Sequence, residues 1–498
     1  MSDLESRELV IGVVGAGAMG AGIAQIAAAS GRRVILVDQR EGAAEAARTA
    51  VLARLEKRVA QGKAERRDVD LVAAKLTVAP DIRAFSGCGL VVEAIVEDLT
   101  AKKALFAGLT GILPDDTVLA SNTSSLPIGA IAAGLPAPER VAGLHFFNPV
   151  PVMKLVEVIR APATSDRVID GLMALSRAMG RVPVEVRDTP GFLVNFGGRA
   201  FTTEGLAVLS ECVATPAQVD AVMRDCCGFR MGPFELMDLT GIDVNYPVTA
   251  FVHQSMFSDP RLRSTPLHRY LLDIGHLGRK TGQGFYDYRE SADRPAAETR
   301  VTGTPAPAVA LLEPSDALST LLSGLAVRVL DEDDGQAPIL AAPLGEDCAA
   351  LSARTGADPR RLVALDLSGD VSRRITLMTS LMAEPAVRDS VVALLGASRA
   401  VTVIADSPGF IAQRICAMVA NLGCEMAQMG LATPGDIDTA MRLGLNYPRG
   451  PLELADAMGP GQVFGILRKL QDLTGDDRYR PSQWLRRRAQ LGVSALSA

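Results

Sequence analysis

Six residues, Gly15-Ala16-Gly17-Ala18-Met19-Gly20, follow at once on the apolar run Leu9 to Val14. An alanine-rich stretch, Ala21 to Ser30, comes next, then Gly31 and the apolar Val34 to Val37, closing on Asp38. A short apolar run without polar alternation suits a strand buried on both faces, and the alanine stretch suits a helix. The order strand, glycine loop, helix, strand, acid points to a parallel sheet wound with helices. In that setting Gly15 permits the tight turn, Gly17 lets a pyrophosphate approach the backbone, and Gly20 lets helix and strand pack closely. Ala18 and Met19 lie where the helix N-terminus offers amide donors and a partial positive charge to the phosphates. Asp38, 18 residues after Gly20, suits a ribose 2′-hydroxyl and repels a 2′-phosphate, so NAD is expected over NADP. Arg40 pulls the other way, since it could pair with the extra phosphate. The alternative is a glycine-rich turn in a purely structural α/β domain.

The pattern continues downstream. Ala43 to Gln61 reads as a helix, and Arg54, Lys57, Arg58 and Lys63 gather toward its end. Such a group reads first as a solvated face, with Lys57 and Lys63 as candidates to meet a phosphorylated substrate tail. Leu90 to Ala94 is another buried strand, with Glu97 and Lys102 following at the start of a helix. Val118-Leu119-Ala120 is a further strand, ending in Ser121-Asn122-Thr123-Ser124-Ser125. Ligands bind at the carboxyl ends of strands in such sheets. A helix cap before Pro127 would account for one or two of these polar residues, but not for all five.

The run from Leu144 to Glu157 sets His145, Asn148 and Glu157 in an otherwise apolar segment. The chain has only four histidines, so one in this setting reads as more than surface filler. An imidazole partnered by a carboxylate takes up a proton near neutral pH. The competing reading is a core histidine with a satisfied hydrogen bond.

At 498 residues the chain is long enough for roughly three or four domains. A net charge of −6 argues against nucleic acid as a partner. The polar, acid-bearing stretch Met1 to Glu8 is unlike a secretory signal, and no charge-free apolar run is long enough to span a bilayer. Seven cysteines without paired metal-ligand spacing fit a reduced, cytoplasmic protein and give no reason to expect a metal.

An internal repeat organises the rest. Asp188-Thr189-Pro190-Gly191-Phe192-Leu193-Val194-Asn195 recurs 218 residues later as Asp406-Ser407-Pro408-Gly409-Phe410-Ile411-Ala412-Gln413. Ala214 to Asp220 matches Ala432 to Asp438, and Gly232 to Leu236 matches Gly450 to Leu454, at the same offset. A constant offset over three blocks indicates duplication. The copies differ, since Gln413 replaces Asn195. Residues 305–405 lack a glycine loop and a histidine, with possible strands at Pro307 to Leu312, Val327 to Leu330, Leu362 to Leu367 and Arg374 to Met378. The Ala-, Pro- and Thr-rich stretch Tyr288 to Pro307 reads as a linker.

Taken together, Gly15 to Gly20, Val92 to Phe106, Ala120 to Leu126, Gly143 to Glu157 and Asp188 to Asn195 resemble the L-3-hydroxyacyl-CoA dehydrogenase family, in the family's order. Gly232 to Gly241 and Arg279 to Tyr286 extend the resemblance into a second, helical domain. The resemblance implies NAD as cofactor, an acyl-CoA thioester as substrate, and oxidation of a 3-hydroxyacyl thioester to the 3-keto compound. By the same resemblance His145 is the general base, Glu157 orients it, and Ser124 and Asn195 hydrogen-bond the reacting part of the substrate. Asp38, Glu97, Lys102, Asn122, Asn148 and Lys280 match positions used around NAD. The family often has an arginine directly after the asparagine. Here Arg199 follows Asn195 by four residues, and its role stays open. The duplicated second half is similar to the 3-hydroxybutyryl- and 3-hydroxyadipyl-CoA dehydrogenases of bacterial aromatic degradation, such as the phenylacetate route. Another hydroxyacid dehydrogenase on this fold, or a non-catalytic dinucleotide-binding protein, are the alternatives.

The expected architecture has four parts. Residues 1–187 form an α/β, Rossmann-type NAD-binding domain and 188–290 an all-α domain. Residues 305–405 form a degenerate α/β segment without a nucleotide site, and 406–498 a second all-α domain. The two helical domains are expected to pair as an internal pseudo-dimer, with a homodimer as the alternative.

Overall fold

The computed structural model describes residues 4–289 and 295–497. Residues 290–294 of the expected linker, Met1 to Asp3 of the amino-terminal stretch, and Ala498 lie outside the described residues. The chain divides into two compact units. One holds Met1–Phe196 with Met429–Leu445, and the other Gly197–Gln428 with Asn446–Ala498.

In the first unit eight strands form one sheet. They are β1 (Val10–Val14), β2 (Arg33–Val37), β3 (Leu76–Val78), β4 (Leu90–Glu93), β5 (Val118–Ser121), β6 (Val141–Phe146), β7 (Leu155–Arg160) and β8 (Val182–Arg187). Their order is β3-β2-β1-β4-β5-β6-β7-β8, so the order reverses at β1, between β2 and β4. All neighbours are parallel except β6 and β7, which run antiparallel. The helices are α1 (Ala18–Ala29), α2 (Ala43–Ala60), α3 (Arg66–Lys75), α4 (Leu99–Thr110), α5 (Ile128–Ala132), α6 (Asp166–Ala178) and the single turn α7 (Val194–Gly197). Branched and aromatic side chains of the strands, Ile11, Val13, Val34, Leu36, Val92, Leu144 and Phe146, pack with Ile23 and Ile26 of α1 and Leu172 of α6 into one core. Helix α1 begins three residues earlier than the alanine run suggests, because the glycine loop ends at Gly17 and the next residues already form the first turn.

The segment Met429–Leu445 is built into this unit. The backbone amide of Arg187, at the end of β8, donates to the carbonyl of Leu431 at 2.8 Å. The Arg187 guanidinium donates to the carbonyl of Met429 at 3.2 Å.

The second unit carries the first helical block, α8 (Arg199–Ser210), α9 (Pro216–Asp225), α10 (Pro233–Thr240), α11 (Ile242–Ser255) and α12 (Pro266–Asp273). A six-stranded sheet follows from β9 (Ala308–Leu311), β10 (Arg328–Val329), β11 (Ile339–Ala341), β12 (Leu362–Asp366), β13 (Arg374–Thr379) and β14 (Ala400–Ile404), in the order β10-β9-β11-β12-β13-β14. Its helices are α13 (Asp316–Ser323), α14 (Cys348–Thr355) and α15 (Pro385–Gly396). Strands β11 and β14 had no counterpart among the expected strands, and the Val327 to Leu330 run shrinks to two residues. The last helices are α16 (Ile411–Gln428), α17 (Pro434–Leu445, in the first unit), α18 (Pro451–Met458), α19 (Pro460–Thr474) and α20 (Gln483–Leu491).

The two sheets share a pattern. From β11 to β14 the second repeats β5 to β8, including the antiparallel step in the middle. Asp188 accepts the amides of Ile128 and Gly129 at the start of α5, at 3.0 and 2.7 Å. Asp406 accepts those of Cys348 and Ala349 at the start of α14, at 2.7 and 3.2 Å. Val182 pairs with Leu155, and Ala400, 218 residues on, pairs with Arg374. Counting two residues along each strand sets Thr376 at the place of Glu157 and its cross-strand partner Asp366 at the place of His145.

Within the second unit α8 and α16 meet through a buried ion pair. The Arg414 Nε donates to Glu204 Oε1 at 2.9 Å, and both side chains are essentially inaccessible. Arg414 also donates to Glu211 and to the hydroxyl of Tyr479, which in turn donates to Glu204. No described helix is long and apolar enough to cross a membrane.

Candidate active site

The crevice at the sheet's switch point is built for an anion. Gly15 sits at φ +99°, a conformation that disfavours a side chain, and a Cβ there would strike the carbonyl of Ala94. A Cβ on Gly20 would strike the carbonyl of Gly15 before it met Val13, so this glycine serves the loop itself more than helix–strand packing. A Cβ on Gly17 would touch nothing within 4 Å, and Gly17 and Ala18 are exposed. Gly17 caps α1 without any side-chain bond, so the amides of Ala18, Met19 and Gly20 head the helix without a capping side chain. An open approach over first-turn amides fits a dinucleotide pyrophosphate.

Asp38 closes β2 beside this loop. Its Oδ2 accepts the Ala16 amide at 2.7 Å, and its Oδ1 accepts Arg40 Nε at 3.1 Å. Burial works against its charge, but Arg40 and the Ala16 amide outweigh it and hold the carboxyl below the usual range. Arg40 is therefore engaged by the acid it was expected to oppose.

Polar side chains at the ends of β4 and β5 form a linked set. Glu93 is wholly buried and accepts Lys102 Nζ at 2.6 Å, the Ser121 hydroxyl at 2.6 Å and the Ile95 amide at 2.8 Å. Lys102 is buried on Glu93, with Glu97 at 3.3 Å, and so acts from behind the site. Glu97 accepts the Thr123 and Ser125 hydroxyls and the Ser124 amide. Burial opposes its charge, yet these donors and Lys102 hold its carboxyl below the usual range. Asn122 accepts the Phe146 amide at 2.8 Å. Thr123 belongs to the five polar residues read at the end of β5, whereas Glu93 escaped the sequence reading. The signal was an acid ending the apolar run of β4.

The antiparallel step between β6 and β7 places His145 directly opposite Glu157. His145 Nδ1 lies 2.7 Å from Glu157 Oε2, with both residues buried. The other carboxylate oxygen accepts the amides of Leu193 and Val194, each at 3.0 Å. The next residue, Asn195, donates from Nδ2 to the carbonyl of Ser124 at 3.1 Å. One carboxylate thus fixes both the imidazole and the turn that presents Asn195. Phe147 and Phe192 flank the imidazole, with ring centroids 4.4 and 5.9 Å away. Nε2 has no hydrogen-bond partner among the described residues and is not a fully buried atom, so it is the nitrogen open to a substrate.

The remaining candidates lie outside this set. Asn148 is exposed and precedes a cis Pro149. Lys57 and Lys63 are exposed on and just beyond α2. Lys280 belongs to the second unit, where its Nζ donates to Asp243 at 2.6 Å. Arg199 is buried in that unit, donates to Thr249 at 2.6 Å, and burial lowers it to about 10. In the second copy Gln413 donates to the carbonyl of Pro343 at 3.1 Å, as Asn195 does to Ser124.

Comparison with known proteins gives a consistent picture. Residues 10–189 match the model of the 3-hydroxyacyl-CoA dehydrogenase NAD-binding domain. Residues 191–288 and again 409–495 match that of the 3-hydroxyacyl-CoA dehydrogenase C-terminal domain. The chain is 40% identical over 487 residues to a 3-hydroxyadipyl-CoA dehydrogenase of Escherichia coli, covering 97% of each. It is 42% identical over 278 residues to a probable 3-hydroxybutyryl-CoA dehydrogenase of Bacillus subtilis, covering 56% of this chain and 96% of that one. A crystal structure of an E. coli 3-hydroxybutyryl-CoA dehydrogenase superposes with a TM-score of 0.86 at 38% identity, covering 97% of this chain and 98% of that one.

Proposed function

The chain belongs to the 3-hydroxyacyl-CoA dehydrogenase family and is an NAD-dependent oxidoreductase, and we propose that it oxidises a short-chain or dicarboxylic L-3-hydroxyacyl-CoA through His145. Bound NAD would supply the hydride acceptor for C3. His145 Nε2 takes the proton of the 3-hydroxyl, because an alkoxide formed without a base is costly. Glu157 holds Nδ1, fixes which ring nitrogen is open, and stabilises the charged imidazolium. Ser124 and Asn195, joined by one hydrogen bond, bind the reacting end of the substrate. Gly15, Gly17, Ala18, Met19, Gly20, Asp38 and Asn122 hold the dinucleotide, with Glu97, Lys102, Asn148 and Lys280 assigned around it. Lys57 and Lys63 are assigned to the phosphorylated tail of the thioester. In reverse the imidazolium returns the proton.

The observation that carries this reading is the 2.7 Å His145–Glu157 contact with Nε2 left open. The short-chain or dicarboxylic assignment rests on the names of the two relatives. The second half is read as a duplicate whose α/β segment has lost its nucleotide site, and whose helical block pairs with the first as an internal pseudo-dimer. The Asp188 and Asp406 caps and the Arg414–Glu204 pair support it. The test is NADH formation with 3-hydroxybutyryl-CoA, 3-hydroxyadipyl-CoA and free 3-hydroxybutyrate. The expected result is turnover of one or both thioesters, and loss of turnover with NAD binding retained in His145→Ala. Turnover of the free acid alone, or an active His145→Ala, overturns it.

A further inference from the structure

The second unit contains a cavity of about 490 Å³, within the size range of small-molecule sites. Its place in the repeat is informative. Asp366, which stands where His145 stands in the first copy, accepts the hydroxyl of Ser368 at 2.6 Å, and Ser368 lines the cavity. Ala412 and Cys416 line it too, at the repeat positions of Val194 and Gly198 on either side of Asn195's counterpart. The second copy thus keeps an open space where the first copy gathers its candidate catalytic residues, while the imidazole itself is gone.

The lining has two characters. Phe229, Cys416, Leu454 and Met458 give an apolar wall. Burial pushes the Cys226 thiol beside them up to about 12, so it stays neutral. Three guanidinium groups, Arg224, Arg373 and Arg449, face two carboxylates, Asp225 and Asp370. Arg224 is engaged by Glu235 at 2.7 Å and Arg373 by Asp225 at 3.2 Å. Arg449 is exposed and has no ion-pair or hydrogen-bond partner among the described residues.

We propose that this cavity is a non-catalytic binding site for a short linear carboxylic acid, its chain against Phe229, Leu454 and Met458 and its carboxylate on Arg449. No group in the cavity corresponds to the His145 base, so the ligand is held and not turned over. The site is independent of the substrate assigned to the first copy.

The test is calorimetric titration of the full chain with hexanoate, and with its methyl ester, in the absence of NAD. The expected result is one hexanoate per chain, with the uncharged ester bound roughly tenfold or more weakly. Arg449→Glu is expected to lower hexanoate affinity by a similar factor, and Met458→Trp, which fills the apolar side, to abolish binding. Both variants are expected to keep NADH formation at saturating substrate, which shows that they fold. Absence of binding up to about 10 mM overturns the proposal. So does binding that both folded variants leave unchanged.

Discussion

The amide of Arg187 donates to the carbonyl of Leu431 at 2.8 Å, and the same bond recurs with the copies exchanged, from the amide of Ala405 to the carbonyl of Val213 at 3.0 Å. Each pair of positions is related by the 218-residue offset. A strand of each copy is therefore closed by a segment of the other. Residues 429–445 complete the first unit, and a Cβ on Gly444 would come within 2.8 Å of Val194 and 3.0 Å of Leu155. Deleting residues 291–498 is expected to leave a fragment that is not a soluble, active monomer. Light scattering and NADH formation check this, and an active monomer would refute internal pairing.

Asp38 is expected to set cofactor choice. It engages Arg40, which lies exposed at the end of β2. Asp38→Ser removes the carboxylate that repels a 2′-phosphate and frees Arg40 to pair with one. The ratio of kcat/KM for NAD over NADP should fall about tenfold or more, roughly 1.4 kcal/mol. Steady-state rates with both cofactors measure it, and an unchanged ratio would show that Asp38 does not contact the ribose.

Much of this was legible in the sequence for physical reasons. The glycine loop reads clearly because few residues can occupy Gly15 and Gly20, and buried strands such as β1 and β4 read as unbroken apolar runs. His145 and Glu157 stood out as chemistry in apolar surroundings. Their antiparallel register did not, since a twelve-residue separation fits many loop shapes. Lys102 stands at a helix start and matches a position used around NAD, and its burial on Glu93 is an ion pair that only the tertiary fold reveals. Strand β11 is only three residues long, too short to carry a pattern. The exchange of segments between copies is a matter of topology. A repeat shows that two copies exist and is silent on which copy a helix completes.

Glu157→Gln separates orientation from charge. The amide can still accept from Leu193 and Val194 through its oxygen, so the turn bearing Asn195 should hold. It cannot stabilise an imidazolium. We expect kcat to fall by about 10² or more with NAD affinity nearly unchanged. Loss of NAD affinity along with kcat would point instead to a structural role.

Asp220 provides a pH test of stability. It is buried and accepts the Phe234 and Glu235 amides and the Tyr286 hydroxyl. Burial dominates these donors and pushes its carboxyl up to about 7. A raised carboxyl means the folded state holds a proton that the unfolded chain has released. Between about pH 4 and pH 7 this group makes stability fall as pH rises, with no further change above. Asp220→Asn should remove that component, so the difference in urea midpoint between parent and variant should shift between about pH 5 and about pH 8. A difference independent of pH would refute it.

The Arg414–Glu204 pair tests what joins α8 to α16. Taking both charges out of water is costly, and the cost is offset by mutual attraction, by the bonds of Arg414 to Glu211, Ser407 and Tyr479, and by Arg478, 3.6 Å from Glu204. Removing one partner leaves the other charged and buried. Arg414→Met is therefore expected to destabilise the chain by about 3–5 kcal/mol. Glu204→Gln placed in the same chain removes the stranded charge and should recover a large part of that loss, because Tyr479 can still donate to the amide oxygen. Urea denaturation of parent, single and double variants measures both terms. If the double variant is as unstable as the sum of the two singles, the pair contributes no coupling, and the apolar packing of α8 on α16 carries the contact alone.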